Sequence, residues 1–160
     1  MWQELLEILT RLTKDYEVLE GLGRQKHTAL VGVDMKTLDK LLKREADIAA
    51  SIRKSEKQRQ DLFVRLSKSA PAIEPDMKAG DLYKMAPPQY ASRLQLAHDG
   101  LSRIVEKVKA QAEINNILAM GALGAVNEKL NRVGGATVDP TYGRGGTEHV
   151  SHQRNFEYDA

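Results

Sequence analysis

Residues 101–126 read LSRIVEKVKAQAEINNILAMGALGAV. Steps of four and three from Leu101 pick out Val105, Val108, Ala112, Asn115, Ala119, Ala122 and Val126. All but Asn115 are apolar, and this spacing marks a heptad seam along a helix. Leu94 and His98 extend the seam backward, and Ile104, Ile114, Ile117, Leu118, Leu123 and Leu130 lie beside it. Pro88 suits a first helical turn, so the helix is read over 88–133. Its 46 residues would extend about 69 Å at 1.5 Å each. From 117 to 126 the helix is apolar all round, and such a surface has to be covered on every side. The cover is the rest of the chain, a second copy, or another protein. Ala119, Gly121, Ala122, Gly124 and Ala125 would let a partner helix approach closely, and Met120 would adapt to it. Asn115 and Asn116 precede this run. A polar residue in a seam fixes register or bonds a bound peptide's backbone.

Two further helices are predicted upstream. Over 2–31 the seam is Leu5, Leu9, Leu12, Tyr16, Leu19, Gly23, Lys26 and Leu30. Gly21 and Gly23 each cost about 1 kcal/mol against alanine in a helix interior, so a kink or frayed zone is expected near residue 22. Asp34 can cap the next helix by accepting free amide hydrogens of its first turn. That helix is read over 35–69, with Leu38, Leu41, Glu45, Ile48, Ile52, Ser55, Arg59, Leu62 and Leu66 in its seam. The ends of this seam are apolar and its middle is polar. Residues 36–68 hold ten basic and five acidic residues, which reads as a solvated face.

Pro71, Pro75, Gly80 and Pro87 break the pattern over 70–87. This segment is read as a loop, with Met77, Leu82, Tyr83 and Met85 available to pack a short helical turn. The stretch 134–160 has five glycines in its first thirteen residues and carries two arginines against four acids. It lacks the apolar content to repay ordering, so it is expected to be disordered until bound. The fold class expected is all-α: an elongated antiparallel bundle of three long helices forming one domain over 1–133, with a flexible tail over 134–160.

Composition removes several function classes. The chain has 160 residues, which suits one domain, and no cysteine, which removes disulfides, thiol nucleophiles and cysteine metal sites. Aromatic residues at 5% argue against a β-sandwich or barrel. The net charge of +2 does not suit a strongly basic nucleic-acid binder, and no aromatic residues interleave with the basic residues of the second helix, where Phe63 is the only aromatic. The start, Met-Trp-Gln-Glu-Leu-Leu-Glu, is acidic where a signal peptide is basic. The longest apolar run, ten residues, is half the ~20 that a bilayer needs. No membrane insertion and no nucleic-acid partner are therefore expected.

Nothing in the sequence supports catalysis, a cofactor or a metal. His149 and His152 are spaced for a metal but have no evident third ligand. Ser51-Ile-Arg-Lys54 matches the bare pattern of serine acyl enzymes without their partner motifs. Neither Gly21-Leu-Gly23 nor Gly143-Arg-Gly-Gly146 continues as a phosphate loop.

The order of elements, the stretch DMKTLDKLLKRE at 34–45, Ile48, the Asn115-Asn116-Ile-Leu element and the tail Thr141-Tyr142-Gly143 with Gly145-Gly146 together resemble the FlgN-type flagellar export chaperones. The resemblance covers nearly the whole chain. It implies a cytoplasmic chaperone that binds the C-terminal segment of hook-associated (hook–filament junction) proteins. The chaperone would stop them folding or assembling early and deliver them to the type III export gate, with the export ATPase complex as a further candidate partner. By the same resemblance Tyr142 and Gly143 would face the gate. The stripe Ile104, Val108, Ala112, Asn115, Leu118, Ala119, Ala122 and Val126 is the expected substrate contact. The same stripe would serve a homodimer or, as the alternative, a self-assembling structural coiled coil without an export substrate.

Overall fold

The computed structural model describes residues 1–134, and among these the chain is all-α. Its helices are α1 (Trp2–Val31), α2 (Met35–Ser69), α3 (Ala79–Lys84) and α4 (Pro88–Gly134). The chain divides into two units, Met1–Ala122 and a second that begins at Leu123. No described helix is long and apolar enough to cross a membrane.

Polar side chains show how α1 and α2 pair. Glu4 meets Arg65, Arg11 Nη2 donates to Gln58 Oε1 (3.0 Å), Ser51 Oγ donates to Asp15 Oδ2 (2.7 Å), and Lys26 Nζ lies 2.9 Å from Glu45 Oε2. Residue numbers rise along one helix as they fall along the other, so the pair is antiparallel. The two seams close on each other: Leu5, Leu9, Leu12, Tyr16, Gly23 and Leu30 are buried from α1, and Leu41, Ile52, Ser55, Leu62 and Leu66 from α2. The polar interruptions of the two seams are partners, Lys26 with Glu45.

Between them the chain turns at Gly32-Val33-Asp34. Val33 has φ 53°, a left-handed conformation that is costly for a β-branched residue. Asp34 caps α2 as expected: Oδ1 accepts the Thr37 amide (3.0 Å) and Oδ2 the Thr37 hydroxyl (2.6 Å). These two bonds favour the ionised carboxyl and hold Asp34 below the ordinary carboxylate range.

Two expectations need correction. α1 passes through residues 21–23 without a break. Leu22 is buried there, and the Gly23 carbonyl accepts a bond from Asn115 of α4, so packing offsets the glycine cost. The segment read as a loop contains α3, which buries Leu82 and Tyr83; Ile73 and Ala86 are buried on either side of it. Of the residues expected to pack that turn, Leu82 and Tyr83 do so, Met77 is half-buried and Met85 is exposed. Tyr83 Oη lies 3.3 Å from His98 Nδ1 of α4. Burial pushes the Tyr83 phenol up to about 12.

Within Met1–Ala122, α4 follows α1 in the parallel sense. Arg93 shares a groove with residues 3–14 of α1, and Asn115 reaches Gly23. Leu22, Ala29 and Leu41 form a buried cluster near the α1–α2 turn, with Leu19, Leu38 and Ile48 packed against it.

Candidate functional site

Asn115 fixes the orientation of the C-terminal half of α4 in the first unit. It is 1% exposed. Its Nδ2 donates to the Gly23 carbonyl at 2.8 Å, and its Oδ1 accepts from Gln111 Nε2 at 3.1 Å. Gln111 crosses α1 where a side chain would interfere: a Cβ on Gly23 would lie 3.0 Å from Gln111 Cγ. The glycine therefore admits α4 at close range, and the amide of Asn115 holds it there.

The expected stripe divides on this anchor. Asn115 is buried and committed to α1, so a partner reaches it only if α1 moves away. Ile104, Val108, Leu118 and Ala122 are half-buried, while Ala112 and Ala119 are exposed. Val126 is exposed and belongs to the second unit. The inward line keeps heptad positions 101, 108, 115 and 122. Between them 104, 105, 111 and 118 are half-buried, while 112 and 119 are exposed. Tyr142 and Gly143 lie outside the described residues, as do His149 and His152.

Three large apolar side chains lie uncovered on the other side of α4, alongside the exposed Glu113. Ile114, Ile117 and Met120 are 48%, 71% and 75% exposed. They follow one another at i, i+3 and i+6, and nothing lies within 4 Å of a Cβ built on Gly121. Large apolar residues in such a row are unusual on a solvated helix. In the second unit Leu123, Leu130 and Val133 are also exposed. The sequence reading places Ile114 and Ile117 beside the seam and gives Met120 as an adaptable contact for a partner. The signal available was the all-round apolar run itself, which exceeds what one partner helix can cover.

Among the described residues no group of three or more His, Asp or Glu is placed to hold a metal. The Ser51 hydroxyl donates to Asp15, so the Ser-x-x-Lys match is a helix–helix bridge. A family model described as FlgN protein matches residues 1–149. No curated protein and no solved structure gives a match. With a family match across nearly the whole length, an all-α fold and an uncovered apolar row on its last helix, the chain belongs to the FlgN family of flagellar type III export chaperones.

Proposed function

We propose that the chain holds the C-terminal segment of hook–filament junction proteins in the cytoplasm, keeps it from early folding or assembly, and delivers it to the export gate. The observation that carries this reading is the exposed row Ile114, Ile117 and Met120 on a helix whose other side is committed to α1 through Asn115. An amphipathic substrate helix would lay its apolar face along this row. Ala112 and Ala119 are exposed on a neighbouring side of the same helix and allow close approach there. Ile104, Val108, Leu118 and Ala122 support the row from the inward side. Residues 1–133 act as the chaperone domain. Tyr142 and Gly143 in the segment beyond it make the gate contact, with the export ATPase complex as a further partner.

Titration calorimetry against the C-terminal segment of the organism's own junction protein tests this reading. Saturable binding at one substrate per chain is expected, weakened at least tenfold by Ile117→Asp with helix content unchanged. Tyr142→Ala should bind substrate normally and fail in delivery. A second reading, self-assembly along the same row, is favoured by the same exposure. Absence of substrate binding by the folded chain, with oligomers that grow with concentration, would put that reading first.

A further inference from the structure

A second surface lies elsewhere in the first unit and has different chemistry. A groove of about 440 Å³ runs between the first half of α1 and Arg93 of α4. Its α1 wall spans Gln3 to Lys14, about 16 Å or three helical turns. Leu6 forms an apolar floor. The Thr10 hydroxyl is engaged inside α1, donating to the Leu6 carbonyl at 2.8 Å.

Three cations line this groove, Arg11, Lys14 and Arg93, against one carboxylate, Glu7. Glu7 already accepts a bond from Gln3 Nε2 at 2.9 Å. Lys14 and Arg93 form no ion pair among the described residues, and the guanidinium of Arg11 meets only the neutral amide of Gln58. Elsewhere on the same two helices Glu4, Glu20 and Glu113 are available or engaged on other faces, yet none lines this groove.

We infer that this groove is a docking site for an acidic amphipathic helix of a partner protein. Charge complementarity selects the occupant. Arg11 and Lys14 are three residues apart, so their side chains are surface neighbours about 5–6 Å apart at Cβ. Carboxylates spaced one turn apart on a partner helix match that separation. Arg93 faces them from the other wall and suits a carboxylate in its planar fork. The floor at Leu6 takes an apolar side chain between the charges. A nucleic-acid backbone or an anionic membrane would satisfy the cations but leave the apolar floor at Leu6 unused. The site is independent of the α4 row: it is polar where that row is apolar, and it lies along the first half of α1.

The test is fluorescence anisotropy of the full-length chain with a labelled leucine-containing helical peptide that carries glutamates four residues apart. Saturable one-to-one binding that weakens with salt is expected. The peptide with glutamine in place of each glutamate should bind at least tenfold more weakly. The Lys14→Glu/Arg93→Glu variant should lose at least tenfold, with an unchanged far-ultraviolet circular dichroism spectrum, since both side chains are exposed. Lys107→Glu/Lys109→Glu, outside the groove, should bind like the parent, as should Ile117→Asp. Equal binding of the two peptides would overturn the inference, as would equal losses in the two double variants. So would loss in Ile117→Asp, or tighter binding of an oligonucleotide or a phosphatidylglycerol vesicle through Lys14 and Arg93.

Discussion

Gly21 and Gly23 stand two residues apart in α1 and meet opposite surroundings. A Cβ at Gly21 would find nothing within 4 Å, whereas one at Gly23 would press on Gln111 Cγ. Gly21→Ala should therefore stabilise the chain by about 0.5–1 kcal/mol, the usual gain in a helix interior. Gly23→Ala should forfeit that gain and destabilise, because Gln111 has to withdraw and takes its bond to Asn115 with it. In a Gln111→Ala background the clash is gone, and Gly23→Ala should recover its helical gain. Urea melts of this cycle check the claim through its coupling energy.

Lys26 and Glu45 give the corresponding argument at the scale of elements. Both are half-buried where the seams of α1 and α2 meet. Glu45→Leu alone should cost about 1–2 kcal/mol, less than a fully buried pair would, because Lys26 keeps some access to water. Lys26→Leu/Glu45→Leu should return to parental stability or above it, as apolar layers replace the pair. Thermal melts of the four proteins distinguish this from independent losses. The seams themselves were legible in sequence, and so were the ends of α1, α2 and α4 to within a residue. The pairing of the two polar breaks was not, since each seam records only its own helix. A six-residue helix such as α3 is too short to display a period. On α4 the run from 117 to 126 is apolar on every side, so periodicity could not say which side faces α1. The contact of Asn115 with Gly23, 92 residues away in the chain, decides it. For the same reason the stripe inferred from sequence combines half-buried residues, Ile104, Val108, Leu118 and Ala122, with exposed ones, Ala112 and Ala119.

At the scale of the molecule, Met1–Ala122 distributes its core unevenly. Leu5, Leu6, Ile8, Leu9, Leu12, Leu62 and Leu66 are buried toward the end where Glu4 meets Arg65. Toward the α1–α2 turn fewer large side chains are buried: Leu22, Ala29, Leu30 and Leu41, with Leu19, Leu38 and Ile48 partly buried beside them. This asymmetry has a consequence for the order of folding. Lys26 and Glu45, near the turn, are 19 residues apart, whereas Glu4 and Arg65 are 61 apart. Closing the longer loop costs about 1 kcal/mol more in chain entropy. On loop entropy the hairpin should zip from its turn, where little apolar surface is gained, toward its far end, where most of it is. Leu22→Ala and Leu41→Ala should slow refolding in stopped-flow experiments, while Leu9→Ala and Leu66→Ala should mainly hasten unfolding. Residues near the turn would govern how quickly a newly made chain becomes competent, and residues at the opposite end would govern how long it survives.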